Sequence, residues 1–263
     1  MMSFKAAALG LITFVSATVA DAAYIETNHE FIVNGGFEKT TNGVGELGYN
    51  TNATGWTSAP DGDGNYGYNF IFSPSTASTT GVRNEYKEDL KLWGPGNGAN
   101  NGLKASPTGG NFLGADGAYH TGYVYQFVSD LIVGHKYTLS FDTAAAQQYG
   151  YDGKTTESWY YGLASQGLSG QTATVNNANH GFVDWQHQVF TFTASKTSDY
   201  VYFLAEGAPE GQPPFSLLDS VSLTGDYSVS AAPEPGTWAM LVLGFGLIGF
   251  MTRRRRRPIA AFA

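Results

Sequence analysis

The sequence predicts an all-β protein, and three observations lead to this prediction. Apolar and polar residues alternate with a period of two in several stretches, which is the pattern of half-buried strands. Turn-forming residues separate these stretches, and glycine alone accounts for 34 of the 263 residues. No apolar period of 3.6 residues extends over more than a turn or two between residues 23 and 230. Together these observations favour one β-sandwich domain over residues 23–230.

Seven stretches carry the strand pattern. In the stretch 185–193, Phe190 and Phe192 share one face while His187 and Val189 share the other, because side chains alternate across a strand. The first stretch ends in a Gly-Gly turn, and the last is rich in leucine and valine. The predicted strands lie within residues 31–38, 123–128, 137–142, 158–163, 185–193, 200–205 and 215–224.

Two long segments lack the strand pattern. Residues 42–67 are rich in glycine, asparagine and aspartate, and they predict a long loop around Trp56. Residues 73–110 include two low-complexity runs, Pro-Ser-Thr-Ala-Ser-Thr-Thr and Gly-Pro-Gly-Asn-Gly. This second segment is predicted to be an insertion or a long surface loop.

Residues 1–22 are predicted to be a secretory signal peptide. Lys5 supplies the short basic region, and an apolar run from Ala6 to Ala20 follows it. Small residues after this run fit a cleavage site, so the mature protein is expected to begin between Asp21 and Tyr24. An N-terminal membrane helix is the alternative, and the shortness of the apolar run disfavours it.

The end of the chain has three parts in a fixed order. A stiff tripeptide, Pro233-Glu234-Pro235, precedes an uncharged apolar segment over 237–252, and five arginines close it at 253–257. An arginine block after an apolar run stays on the cytoplasmic side of a membrane. The apolar core spans about 22 Å as a helix, whereas a bilayer core is about 30 Å thick. The segment is therefore either a permanent anchor or a temporary one held for processing.

The tail resembles the PEP-CTERM sorting signal in its Pro-Glu-Pro-x-x-Trp-Ala form. This resemblance implies a Gram-negative envelope protein that an exosortase, a membrane-embedded transpeptidase-like enzyme, recognises while the tail crosses the inner membrane. It further implies a cut near the tripeptide and delivery of the body to the cell surface, outer envelope or extracellular matrix. The residues that carry the resemblance are Pro233, Glu234, Pro235, Trp238 and Ala239, with the stop-transfer block Arg253, Arg254, Arg255, Arg256 and Arg257.

The charge of the body limits its partners. The whole chain carries a formal charge of −8. Without the six basic residues and two acidic residues of the leader and tail, eight basic and twenty acidic residues remain, which gives −12. An acidic body repels phosphate backbones, so nucleic-acid binding is not expected, whereas cations and neutral glycans suit it. The absence of cysteine excludes a disulfide framework and thiol chemistry.

The body resembles the galactose-binding-like jelly rolls that are common among carbohydrate-binding modules. Residues 34–38 (Asn-Gly-Gly-Phe-Glu), Trp56 and the closing run 217–223 carry this resemblance, which extends from about Phe31 to Thr224. A narrower resemblance, at 156–159 and 213–219, is to uncharacterised PEP-CTERM surface proteins, and it brings no known activity.

The jelly-roll resemblance also implies a structural Ca²⁺ held by Glu38 and Asp219 near the first and last strands. Calcium takes six to eight oxygen ligands, so backbone carbonyls would complete such a site. The alternative is that Glu38 caps a turn and Asp219 accepts bonds from backbone amides. Asp61-Gly-Asp-Gly-Asn65 is similar to the start of an EF-hand loop, but Phe72 stands where the loop needs glutamate, so a solvated turn is expected.

Sugar rings stack on aromatic faces, and Trp93, Trp159 and Tyr160 are the predicted glycan-binding residues. Each is also a natural core residue, because aromatic side chains fill β-sandwiches. No catalytic residue is predicted, since the five histidines lack metal-ligand spacing and no Gly-x-Ser-x-Gly motif occurs. The sequence thus predicts a non-catalytic cell-surface or matrix protein associated with exopolysaccharide. A carbohydrate-binding module with a specific glycan is the alternative, and a glycoside hydrolase is less favoured.

Overall fold

The computed structural model describes residues 24–229, together with Leu243 and Phe245. About half of residues 24–229 lie in β-strands, so the regular secondary structure of the body is nearly all β, as predicted. Two short 3-10 helices, Pro95–Asn97 and Ala164–Gln166, complete it. The strands are β1 Tyr24–Glu30, β2 Gly45–Glu46, β3 Thr57–Ser58, β4 Asn69–Phe72, β5 Val82–Arg83, β6 Asp89–Leu90, β7 Phe112–Asp116, β8 Val124–Ser129, β9 Lys136–Gln147, β10 Thr155–Leu163, β11 Leu168–Gln171, β12 Val175–Asn177, β13 Phe182–Thr193, β14 Ser198–Ala208 and β15 Pro214–Val229.

The larger of two main sheets has seven strands in the order β13-β9-β15-β7-β4-β2, with β1 also paired to β15. Its central strand, β15, is antiparallel to both neighbours, so that Leu217 lies opposite Gly114 of β7 and Ala144 of β9. The smaller sheet has six strands in the order β11-β10-β14-β8-β3, with β12 also paired to β10. Both sheets are therefore built from strands that are distant in sequence.

The two sheets pack face to face around one core. Phe203 of β14 lies near its centre, with its ring centroid 5.0 Å from that of Phe141 in the opposite sheet and 6.2 Å from that of Trp56. Trp159 packs against the same ring from β10, at 6.3 Å. Alternate residues of each strand point into this layer, which is the arrangement of a β-sandwich.

A second core covers the outer face of the larger sheet. Residues 73–103, here called the cover, place Ala77, Val82, Leu90 and Leu92 against that face, and all four are buried. The sheet contributes Phe70, Phe72, Phe112, Ala144, Ala146, Phe215 and Leu217.

The cover corrects the prediction of a long surface loop over 73–110. It contains the β5–β6 hairpin, and the backbone N–H of Trp93 donates to Gln147 O at 2.8 Å at the end of β9. Its few apolar residues follow no regular period, which is why the sequence pattern did not indicate a packed layer.

In the first stretch, residues 31–38, the predicted strand is wrong, whereas the Gly-Gly turn that follows it is present at Gly35 and Gly36. The strand ends at Glu30, and the chain then turns, with Asn34 and Phe37 in left-handed conformations at φ 58°. Phe37 is fully buried against Trp56, whose indole N–H donates to Asn34 O at 3.0 Å. The segment therefore folds inwards as a turn that carries one core residue.

Several predictions concern residues outside the described part of the chain. These are the signal peptide 1–22, the sorting motif at Pro233–Ala239, the apolar segment 237–252 apart from Leu243 and Phe245, and the arginines 253–257. Among the described residues, none forms a helix with the length and apolar character needed to cross a membrane.

Candidate functional site

A cleft lies between the hairpin of the cover and the loops that follow β7, β9 and β14. It encloses about 390 Å³, a volume typical of small-ligand sites. Three tyrosine rings on its walls are about half exposed, namely Tyr86, Tyr119 and Tyr151. Tyr68 and Asp116 are buried in its floor. The remaining lining residues are Glu88, Ala118, Gln148, Glu210, Gly211 and Pro213.

Two of the three exposed tyrosine rings of the cleft, Tyr86 and Tyr119, are held by contacts with other tyrosines. The Tyr86 and Tyr119 hydroxyls lie 3.1 Å apart, and Tyr119 packs edge-on to Tyr68 at 5.3 Å between centroids. The hydrogen bond to Tyr119 and partial burial raise the pKa of Tyr86, so its hydroxyl stays protonated at neutral pH. These contacts fix the rings without a ligand, which lowers the entropic cost of binding one.

Asp116 ends β7 beneath these rings. Its Oδ1 accepts the backbone N–H groups of Ala118 at 2.8 Å and Tyr119 at 3.2 Å, which orients the loop that carries Tyr119. Its Oδ2 is buried and has no hydrogen-bond partner among the described residues. Burial raises the pKa of Asp116 to about 7, although the two backbone hydrogen bonds and nearby His120 oppose the shift.

His120 borders the cleft and is held by the turn at residues 61–65. Its Nδ1 pairs with Asp61 Oδ2, and its Nε2 lies 3.4 Å from the Tyr86 hydroxyl. The Asn65 side chain and His120 both hydrogen-bond to Asp61, and they lower the pKa of that carboxyl group. The predicted calcium-like sequence at 61–65 is therefore a turn that orients His120.

The outer face of the smaller sheet carries a second aromatic surface, here called the aromatic face. It consists of Tyr123, Tyr125, Tyr200 and Tyr202, and it is open and uncharged. Tyr123 packs edge-on to Tyr202 and Tyr125 packs edge-on to Tyr200, each with centroids 5.6 Å apart. Unlike the cleft, this surface has no carboxylate or amide in its lining.

The three predicted glycan-binding residues lie in three different places. Trp159 is 1% exposed in the sandwich core, so its predicted contact with a glycan is wrong. Trp93 lies in the cover with one face stacked on His180 at 3.8 Å, and its Nε1–H donates to Tyr151 O at 2.9 Å. Tyr160 is partly exposed on the outer side of β10, where it pairs with Leu204. The fold therefore does not bring the three side chains together.

The predicted calcium residues, in contrast, lie close to each other. A Cβ placed on Gly36 would be 3.6 Å from Asp219 Oδ1 and 3.9 Å from Glu38 Cγ. Asp219 is fully buried, and its Oδ2 accepts hydrogen bonds from the hydroxyls of Ser106 and Thr108.

The free oxygen of Asp219 is the notable feature of this pair. Asp219 Oδ1 is buried and has no hydrogen-bond partner in the described part of the chain. Burial raises the pKa of Asp219 to about 6, against the Ser106 hydrogen bond, and the negative charge of Glu38 adds to the rise. Within residues 24–229, no group of three or more Asp, Glu, His or Cys side chains is arranged to hold a metal. Hydroxyl and carbonyl oxygens would have to complete a site here.

Sequence reasoning did not find Tyr68, Tyr86 or Asp116. Five separate segments supply the lining of the cleft, and only the tertiary fold brings them together. The one signal in the sequence was the run Phe-Leu-Gly-Ala-Asp, in which an aspartate ends a mostly apolar stretch, and the prediction left this run unassigned.

The tail can be compared with known sorting signals. A family model described as the PEP-CTERM protein-sorting motif matches residues 231–256, which include the tripeptide, the apolar segment and the first four arginines of the block. This chain carries a PEP-CTERM sorting motif. The match confirms the resemblance of the tail that its sequence indicated, and it leaves the body, residues 24–229, outside the PEP-CTERM motif.

The body is similar in outline to several solved β-domains. The carbohydrate-binding module TmCBM61, solved with β-1,4-galactotriose, is 14% identical with a TM-score of 0.40, covering 75% of this chain and 99% of the module. The K3 adhesin domain of Lys-gingipain from Porphyromonas gingivalis is 13% identical with a TM-score of 0.40, and the match covers 76% of this chain and 99% of the domain. The K1 adhesin domain of the same protein is 13% identical with a TM-score of 0.40, and the match covers 78% of this chain and 98% of the domain. No curated protein sequence matches the chain.

Proposed function

We propose that this PEP-CTERM protein is exported, sorted by an exosortase-type enzyme and presented outside the inner membrane, where its body binds glycan. The body is a non-catalytic jelly roll of the galactose-binding-like type, and its ligand is a neutral segment of exopolysaccharide. The motif at residues 231–256 supports the sorting step. One observation carries the glycan-binding step, namely a cleft of pre-oriented tyrosine rings above a buried carboxyl group with a free oxygen.

The cleft combines the two kinds of contact that sugars need. The exposed faces of Tyr86, Tyr119 and Tyr151 suit the apolar C–H faces of sugar rings, and Glu88 and Gln148 offer polar groups to hydroxyls. Glu88, Glu210 and the buried Asp116 make its surroundings acidic, which disfavours anionic sugars. Neutral glycans fit this balance best.

The cleft hypothesis predicts that the Tyr119→Ala variant loses glycan binding. The ring is part of the wall, and its hydroxyl also orients Tyr86, so we expect at least a tenfold loss of affinity. The measurement is titration of the full chain, in detergent, with neutral glycans selected on an array. Tyr200→Ala on the aromatic face is the matched control, because it removes an equally exposed ring elsewhere.

Four outcomes separate the functional hypotheses. If Tyr119→Ala loses glycan binding and Tyr200→Ala retains it, the result supports binding in the cleft. The reverse result places binding on the aromatic face and overturns the cleft hypothesis. A protein that retains no glycan in any form is a structural matrix component. Release of reducing ends from a bound glycan would contradict the non-catalytic assignment.

We also propose that Glu38 and Asp219 hold a structural Ca²⁺. Asp219→Asn removes a charged ligand from the proposed site, so this variant should bind one Ca²⁺ fewer per molecule than the parent protein. The Ca²⁺-dependent rise in Tm should shrink in the same variant. Isothermal titration and thermal unfolding, each with and without a chelator, measure these effects. An Asp219→Asn variant that binds as many Ca²⁺ ions as the parent protein would refute the site.

The sorting hypothesis makes its own prediction. Replacing Pro233, Glu234 and Pro235 with alanine should block removal of the tail and leave the protein in the inner membrane. Intact mass and cell fractionation measure both effects. Alanine at Pro258, Ile259 and Phe262 is the matched control, because these positions lie beyond the matched motif. An uncut tail in both variants and in the parent protein would mean that the tail is a permanent anchor.

A further inference from the structure

The carboxyl group of Glu46 contacts the backbone of Glu85 where the hairpin of the cover rests on the larger sheet. Glu46 of β2 is fully buried, and its Oε2 accepts the backbone N–H of Glu85, in the hairpin turn, at 2.5 Å. Its other oxygen, Oε1, is buried without a hydrogen-bond partner, and so is Oε1 of Glu85. Among the described residues, each side of this contact therefore contributes one carboxylate oxygen without a hydrogen-bond partner.

Nothing in the described structure neutralises these two groups. Neither Glu46 nor Glu85 forms an ion pair with a Lys, Arg or His side chain within residues 24–229. The negative charges of Glu46 and Glu85 repel each other. A buried charge without a partner costs several kcal/mol. A proton or a bound cation must therefore compensate them in the folded protein.

The surroundings are rich in oxygen and amide groups. Asn50 accepts the Glu46 backbone N–H at 2.8 Å and donates to Arg83 O at 2.9 Å, which ties β2 to the hairpin. Asn84 donates to the Tyr68 hydroxyl at 3.1 Å. An all-oxygen environment with two carboxylates selects hard cations and excludes metals that prefer nitrogen or sulfur ligands.

We propose that Glu46 and Glu85 bind a divalent cation of the calcium type, which fastens the hairpin of the cover to the sheet. The two carboxylates supply the charged ligands, and water supplies the others. The bound ion would also fix the wall of the cleft, because Tyr86 directly follows Glu85 and Glu88 lies in the same turn. This site is separate from the one at Glu38 and Asp219, and it does not depend on glycan binding.

The test is a count of bound Ca²⁺ by isothermal titration of the full chain in detergent at pH 8. In an Asp219→Asn background, one Ca²⁺ per molecule should remain, and Glu46→Gln or Glu85→Gln should remove it. Asp89→Asn is the matched control, since this exposed carboxylate lies on the same hairpin and pairs only with exposed Arg83. Glu85→Gln serves as the second variant if Glu46→Gln does not fold.

The possible outcomes are distinct. Loss of one Ca²⁺ in both glutamine variants, with no loss in Asp89→Asn, supports the site. Unchanged binding in both variants overturns it, and so does an Asp219→Asn protein that already binds no Ca²⁺. If Asp219→Asn binds as much Ca²⁺ as the parent protein while Glu46→Gln binds one ion fewer, the Glu38–Asp219 proposal fails and this one stands.

Discussion

Replacing Trp159 with alanine is expected to lower the free energy of unfolding by about 3–5 kcal/mol. The ring is 1% exposed, so the truncation opens a large cavity beside Phe203 in the sandwich core. It also leaves Leu217 O without the indole N–H that donates to it at 3.0 Å. Urea denaturation followed by circular dichroism measures the change.

A matched variant separates this effect from the mere loss of a tryptophan. Trp93→Ala removes a half-buried ring in the cover, and we expect it to cost less than half as much. Trp159→Phe keeps most of the ring volume and can be measured in place of the alanine variant if that variant does not fold. A cost below about 1 kcal/mol for Trp159→Ala would contradict the central position of this ring.

The second large effect is a loss of stability as the pH rises from 5 to 8. Burial raises the pKa of four carboxyl groups, to about 7 in Glu46 and Asp116, about 8 in Glu157 and about 6 in Asp219. The folded protein therefore holds protons that the unfolded chain releases near pH 4. This stabilisation is complete below pH 4 and is lost as the pH passes through 6 to 8.

The size of the loss follows from the difference in pKa between the folded and unfolded states. A pKa difference of one corresponds to about 1.4 kcal/mol. Each of the four folded-state pKa values lies at least one above pH 5, so the four groups together lose about 5 kcal/mol or more by pH 8. Urea denaturation at pH 5 and pH 8, with chelator present, measures the difference. The range stops at pH 5 because hydrogen bonds lower the pKa of Asp61 and Asp184, which stabilise the fold only while ionised.

Glu157→Gln tests the origin of the effect. This side chain is 2% exposed, with Oε2 lacking a partner among the described residues, and glutamine removes its charge while keeping its size. The variant should therefore lose less stability between pH 5 and 8 than the parent protein. Asp89→Asn, an exposed carboxylate, should leave the profile unchanged. A flat profile in the parent protein would show that the four groups are already compensated in solution.

The sequence predicted the strands whose side chains alternate, and missed those that are covered on both faces. Phe190 and Phe192 share one face of β13 as predicted, and that face packs against the sandwich core. All five residues of β7 are buried, since the sandwich core lies on one side and the cover on the other. A strand buried on both sides shows no alternation, so the pattern gave no signal there.

The candidate sites show the same limit. Glu38 and Asp219 could be paired from the sequence because the jelly-roll resemblance assigns both to one proposed Ca²⁺ site, and the fold places them near each other. The cleft was missed because Tyr86, Asp116 and Gln148 lie in three segments that share no local pattern. Trp159 was misassigned because an aromatic residue gives the same sequence signal in a core as on a binding surface.

The position of β15 has a mechanical consequence. This strand of 16 residues lies in the middle of the larger sheet, paired with β7, β9 and β1, and the sorting motif begins at residue 231, two residues after its end. A pull on the tail is therefore transmitted directly to a strand that pairs with three others. Such a load is shared by many backbone hydrogen bonds stretched together, rather than opening them one at a time. A body held by its tail and strained through a bound polymer would thus carry the force along a strand in the interior of its larger sheet.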